Sequence, residues 1–306
     1  MVLLGILATW IDFGEMKVLV ANLQLVPLVI SVLLAIGSIV LSAFKWKLLL
    51  DTRGYQLSLI SLTKVYFVGL FMNNFLPSSI GGDVMRIYQI GKRTGNLSEA
   101  TASVVLERLL ATVGLALLAL IAVLPNLQML GKFSRALLIF LLVCCVVAYL
   151  LIKPSVLRPL TKLSWPWWQK ALGQICEIGA IIKSFRYNQG QVVKVIGYSV
   201  LFQLLVVLIN YFALQSLAIT TVSLWQCALV IPIISAVSMI PLSINGLGIR
   251  EAAYAVLFAP FGISSSQAIT LSVLFFIIVL VVSLIGGLLF ITERTKEDYL
   301  VQAKIN

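Results

Sequence analysis

The sequence predicts an all-α polytopic membrane protein built as an inverted repeat. Each half runs span, span, re-entrant hairpin, span, with about six transmembrane helices plus two re-entrant hairpins. Three observations predict it. Hydrophobic residues make up 61% of the 306 and charged residues only 11%, and the mean hydropathy of +1.08 lies far above that of a soluble domain. Apolar runs long enough to cross a hydrocarbon core of about 30 Å recur along the chain. Two further apolar segments are broken, and the turns that end them read alike. One membrane domain, residues 1–306, is expected, with residues 1–131 as the first repeat and 132–306 as the second.

In chain order, residues 1–9 are apolar but lack a basic leader. They are followed by Trp10, Asp12 and Glu15 rather than a small-residue cleavage site, so they read as a short first span and not a signal peptide. Residues 26–50 form the first full span, and the basic residues after it (Lys45, Lys47, Arg53, Lys64) place its end in the cytoplasm. Residues 57–76 are apolar yet carry Lys64, Asn73 and Asn74 and end at Pro77. Their flanks, Arg53 on one side and Lys92 with Arg93 on the other, are both cytoplasmic by charge, so this segment must enter and return on one side. Residues 100–124, 136–152 and 192–217 supply three more spans. Between the last two lies a basic connection, 153–191, expected in the cytoplasm. Within it residues 164–187 place Trp165, Trp168, Leu172 and Ile175 at helical spacing beside Lys170 and Lys183, the pattern of an interfacial helix. Residues 224–240 are interrupted by Pro232 and closed by Pro241, and with 251–260 they must return to the outer face as a second re-entrant hairpin. Residues 268–291 run back to a cytoplasmic C-terminus.

The two hairpin tips align without gaps. Pro77-Ser78-Ser79-Ile80-Gly81-Gly82-Asp83-Val84-Met85-Arg86 matches Pro241-Leu242-Ser243-Ile244-Asn245-Gly246-Leu247-Gly248-Ile249-Arg250 at Pro, Ser, Ile, Gly and Arg. After each tip an Ala-containing span opens similarly, at Ser98 and at Ser266. Three crossings per half make the second copy inverted, which is the plan of many secondary transporters. Broken backbone at membrane depth is tolerated only inside protein or beside a wet cavity, so both tips should point into the bundle.

Composition also excludes. The chain has no His, which removes imidazole bases and His metal ligands, and its four Cys show no CxxC spacing, so no cofactor or metal site is expected. The net charge of +11 fits cytoplasmic loops and anionic headgroups better than nucleic acid.

Asp83, Arg86, Glu107, Arg108, Arg250 and Glu251 should lie at membrane depth, where each isolated charge costs about 2.5–3.5 kcal/mol. Two readings compete. In one, Asp83 pairs with Arg86 or Arg108, and Glu107 or Glu251 with Arg250, as clamps between the hairpins. In the other, Arg86, Arg108 and Arg250 hold an anionic headgroup through their fixed guanidinium forks. The glycines Gly81, Gly82 and Gly246 would then open helices whose N–H groups favour phosphate, Ser79 and Ser243 would sit on the tips, and Asn73, Asn74 and Asn245 would add neutral donors. The acids Asp83, Glu107 or Glu251 would accept a coupling proton or repel a wrong headgroup.

The run from Asn73 to Arg86, then Glu107-Arg108, then Pro241 to Glu251 resembles the lysylphosphatidylglycerol synthase transmembrane-region family of flippase-like membrane proteins, over nearly the whole chain. The resemblance implies a bacterial-type plasma (inner) membrane location and lipid translocation. It does not imply synthase activity, which in that family belongs to a separate soluble domain. The expectation is a flippase-like transporter, not an enzyme, moving a phospholipid or lipid-linked anionic headgroup as its substrate. The alternative is a non-transporting partner that presents lipid to a separate glycosyltransferase or lipid-modifying synthase.

Overall fold

The structure, a computed structural model, describes residues 12–75, 80–123, 189–239 and 247–305. Every element among them is helical: α1 Phe13–Ala21, α2 Leu25–Asp51, α3 Leu59–Met72, α4 Ile80–Thr94, α5 Leu97–Val123, α6 Gln189–Ser216, α7 Leu224–Ser238, α8 Ile249–Phe258 and α9 Ser265–Ile305. A single 3₁₀ turn, Ala259–Phe261, follows α8. The tip residues 76–79 and 240–246, the run 136–152 and the interfacial segment 164–187 lie outside the described residues.

Four helices, α2, α5, α6 and the Ser265–Thr292 part of α9, are long and apolar enough to cross a membrane. At about 1.5 Å per residue their 27 or 28 residues reach some 40 Å, more than the hydrocarbon core requires. The short helices α3, α4, α7 and α8, of 14, 15, 15 and 10 residues, are each no longer than about 23 Å and do not. Pro232 does not interrupt α7 as its position suggested. The helix runs through it with Pro232 buried, because the neighbouring helices hold the chain where one backbone hydrogen bond is missing.

Helices α2 and α6 lie antiparallel along their whole length. The Gln24 N–H donates to the Ser216 carbonyl (2.8 Å), the Ser31 hydroxyl to the Ile209 carbonyl (3.1 Å), and Phe44 meets Tyr198 edge to face. Helices α3 and α4 form an antiparallel hairpin. Arg93 hydrogen-bonds Ser61 at its base, while near its tip the Gly82 N–H donates to Asn73 Oδ1 (2.6 Å). Small residues permit these approaches. A Cβ at Gly82 would collide with the Gly69 carbonyl, one at Gly286 of α9 with the Phe67 carbonyl of α3, and one at Gly114 of α5 would come within 2.6 Å of Ser199 Cβ on α6.

Two apolar clusters anchor this arrangement. The larger joins α2, α6, α7, α8 and α9 around Val207, Leu214, Val230, Ile234, Phe258 and Ile278. The smaller joins α2 to α5 around Trp46, Leu50, Leu62, Val65, Ile90 and Val104. Exchanging α2, α3, α4 and α5 for α6, α7, α8 and α9 carries every packed pair among these eight helices onto another packed pair. For example, α3 packs on α9 and α7 packs on α5. Because α2 and α6 are antiparallel, α3 and α7, which follow their ends, begin at opposite ends of the bundle.

Charge separates the same ends. Lys47, Arg53, Lys92, Arg93 and Lys194 gather at the end where α2 and α4 finish and α6 begins. There Arg53 pairs with Glu99, whose hydrogen bond holds the guanidinium above its ordinary pKa. At the far end the Ser264 hydroxyl donates to Glu15, and the Asp12 N–H to Ser266 Oγ.

Candidate functional site

Asp83 stands in the first turn of α4, where the helix dipole favours a carboxylate, and Arg86 follows one turn later on the face turned toward α2, α3 and α5. Helix α5 brings up Glu107 and Arg108, and α2 brings up Lys45. The five charges form one network. Asp83 accepts from Arg86 (3.0 Å) and, through both oxygens, from Arg108 (2.8 and 2.9 Å). Glu107 accepts from Arg86 (3.2 Å) and the Tyr66 hydroxyl (2.7 Å), and pairs with Lys45 at 3.3 Å. Three cations face two carboxylates, so the network carries one excess positive charge.

Its members differ sharply in access. The side chains of Lys45, Arg86 and Glu107 are 1%, 2% and 4% exposed. The Arg86 guanidinium is stacked against Tyr66 (3.8 Å to the ring centroid) and Trp46 (4.2 Å), and its Nε has no hydrogen-bond partner among the described residues. Arg108 is the open one, with 41% of its side chain exposed beside Asp83 at 18%.

Arg250 and Glu251 do not join this network. They form a second site at the start of α8, where Arg250 donates to Glu251 Oε1 from Nε (3.2 Å) and Nη2 (2.6 Å), and Nε also reaches Ser272 Oγ (3.0 Å). Glu251 Oε2 accepts from the Gly248 N–H (2.5 Å), capping α8 at a glycine whose φ of +89° favours a residue without Cβ. Beside Arg250 lies a cavity of about 220 Å³ lined by α6, α7, α8 and α9. The two sites are neighbours along α6: Lys45 sits over the Phe202 ring (4.7 Å), and Val206, one turn on, lines the cavity.

Of the expected ion pairs, Asp83 with Arg86 and Arg108 and Glu251 with Arg250 are made, but among the described residues none of them joins one hairpin to the other. Asp83 binds both Arg86 and Arg108 and ties α4 to α5. Asn73 and Gly82 satisfy each other, and Asn74 Nδ2 donates to Ser283 Oγ of α9 (2.8 Å), so these groups hold helices together rather than face a cavity. Gly81 is buried in the first turn of α4. Ser79, Ser243, Asn245 and Gly246 lie outside the described residues.

Lys45 departs most from its reading as a cytoplasmic loop charge: it is buried, pointing at Glu107. Its place inside the apolar run 26–50 was the available signal, as a lysine within a span needs a partner. Trp46, Tyr66, Asn210 and Tyr254, all part of these sites, gave none beyond being polar or amphipathic residues in apolar runs.

These features define a polytopic α-helical membrane protein with a charge network enclosed between its helices. The chain belongs to the lysylphosphatidylglycerol synthase TM region family, whose model matches residues 1–287. It is similar to a UPF0104 membrane protein of Pyrococcus horikoshii, 23% identical over 314 residues, with 94% of this chain and 93% of the relative covered. No solved structure is a significant match.

Proposed function

We propose that this protein is a flippase-like lipid transporter of the plasma membrane, moving a phospholipid or lipid-linked anionic headgroup without altering it covalently. The observation that carries the reading is the buried network with its single excess positive charge and its one accessible cation, Arg108. An anionic headgroup arriving at Arg108 would meet a guanidinium now held by Asp83. Exchanging one anion for the other keeps the fork satisfied throughout, and water-poor surroundings strengthen the attraction. Arg86, held by two carboxylates and two rings, keeps the positive field in place.

The packing supports an inverted repeat with re-entrant hairpins. The offset of 164 residues that aligns Pro77 with Pro241 also carries the first residue of α2, Leu25, to that of α6, Gln189. Hairpins based at opposite ends of the bundle suit alternating access. The clustering of Lys47, Arg53, Lys92, Arg93 and Lys194 supports a cytoplasmic orientation for that end, and with it for the basic loop 153–191 and the C-terminus.

The test is a dithionite-quench assay in proteoliposomes with fluorescent anionic and zwitterionic lipids. Purified wild-type protein is expected to move anionic lipid, and Arg108→Ala to lose that movement while remaining folded. Saturable binding without movement of any lipid would replace this reading by that of a partner presenting lipid to a separate glycosyltransferase or synthase. A covalently altered lipid would replace it by that of an enzyme.

A further inference from the structure

The cavity beside Arg250 differs in chemistry from the network at Arg108. Its walls carry Asn210 of α6, Ser235 and Ser238 of α7, Arg250 and Tyr254 of α8, and the rings of Phe275 and Phe276 of α9. The charge on Arg250 is cancelled by Glu251, which touches the same guanidinium at two nitrogens. An anion placed there would sit as an uncompensated charge in a poorly solvated site. A cation has no carboxylate to meet, since Glu251 Oε1 is occupied by Arg250 and the Ser272 hydroxyl and Oε2 by the Gly248 N–H.

What remains is neutral and polar. Arg250 Nη1 has no partner among the described residues. Asn210 Oδ1 accepts from the Tyr254 hydroxyl (2.5 Å) and Nδ2 donates to the Val206 carbonyl (2.9 Å), so this buried pair braces the wall and leaves Ser235, Ser238 and Arg250 as the polar groups that face a ligand. Asn210, Tyr254 and Arg250 are 0%, 1% and 7% exposed, so rotamers are fixed before any ligand arrives. Phe275 and Phe276, the latter with the Arg250 guanidinium over its ring (5.2 Å to the centroid), complete an apolar lining suited to the C–H groups of a small polyol. At about 30 Å³ per water the volume holds roughly seven waters, enough for a glycerol or a single sugar ring and too small for a whole lipid.

We infer that this cavity binds the uncharged polyhydroxyl part of a lipid headgroup, a glycerol or a single sugar, while Arg108 attends to the anionic part. The part given to Arg108 rests on the transport reading, while the cavity is tested separately from it, because binding is measured whether or not lipid moves.

Purified protein in detergent is titrated with a monohexosyl diacylglycerol, with diacylglycerol and with phosphatidic acid, and separately with free hexose. The hexosyl lipid is expected to bind about tenfold more tightly than diacylglycerol, the effect of two net hydrogen bonds. Ser235→Ala and Asn210→Leu should narrow that ratio, and Gly37→Ala, which lies off the cavity with nothing within 4 Å, should leave it unchanged. The milder Ser235 variant serves if Asn210→Leu misfolds. Competition by free hexose would assign the cavity to sugars in general; its absence would assign it to the lipid-borne group. Equal affinity for hexosyl lipid and diacylglycerol, or a preference ratio that Ser235→Ala leaves intact, would overturn the inference. Failure of transport with this preference retained would overturn only the flippase reading.

Discussion

Removing the carboxylate of Glu107 should unbalance the network, and removing Lys45 with it should restore the balance. Glu107 is 3% exposed and meets Lys45, Arg86 and the Tyr66 hydroxyl at 3.3, 3.2 and 2.7 Å. At an effective dielectric of about 20, unit charges 3.3 Å apart attract by about 5 kcal/mol, which offsets the desolvation of both. Glu107→Gln keeps the shape but raises the excess charge from one to two, leaving Lys45 buried without a counter-ion. Stranding one partner of a buried pair costs about 3–5 kcal/mol. At about 2–4 °C per kcal/mol the midpoint of thermal unfolding in detergent should fall by roughly 6 °C or more. Lys45→Met with Glu107→Gln returns the excess to one and should recover most of the loss. The coupling from the double-mutant cycle should exceed 2 kcal/mol, well above the roughly 0.6 kcal/mol averaged by hydrogen bonds between membrane helices. A coupling at or below that average, or a silent Lys45→Met, would show that Lys45 reaches water and that the pair does not hold the bundle.

Arg108→Gln, at the exposed edge of the network, should abolish transport with a small change in unfolding midpoint, whereas Arg86→Gln, buried against two rings, should lower the midpoint by several degrees, as it takes one partner from each of two carboxylates. Parallel unfolding scans and flux assays separate the two. Gly286→Ala drives a methyl into the Phe67 carbonyl and should cost about 1–3 kcal/mol, while Gly37→Ala, with nothing within 4 Å, should be neutral or stabilising by up to about 1 kcal/mol; thermal unfolding reads both. In a background without native cysteines, Lys92→Cys and Ser223→Cys should react with a membrane-impermeant thiol reagent from opposite faces, and labelling from one face alone would contradict hairpins based at opposite ends.

The spans were legible because membrane insertion is a property of each segment by itself. The runs 26–50 and 268–291 fall inside α2 and α9, and 100–124 and 192–217 fall inside α5 and α6 but for their last residue, since about 20 apolar residues with few charges can satisfy their backbone only as a helix. Segments 57–76 and 224–240 were legible as interrupted, and their helices are indeed too short to cross. Pro232 misled because a proline's local cost says nothing of the neighbours that absorb it. The charged residues of the site other than Lys45 were legible one by one, as intramembrane charge needs an explanation wherever it stands.

Partnership was not legible. Tyr66 and Glu107 are 41 residues apart, Asn210 and Tyr254 44, and no spacing rule links them. By itself the sequence determined that this chain lives in a membrane, where its long helices lie and that several of its charges stand in membrane-depth segments, because each follows from the transfer of one segment or one side chain out of water. The tertiary structure alone decided that Lys45 faces Glu107, that Arg250 is neutralised apart from the other arginines, and that Arg108 keeps an open side. Those outcomes depend on which helices pack within a few ångströms of one another, and the glycines that let Gly69 meet Gly82 and Gly286 meet Phe67 act only when the partner backbone is present.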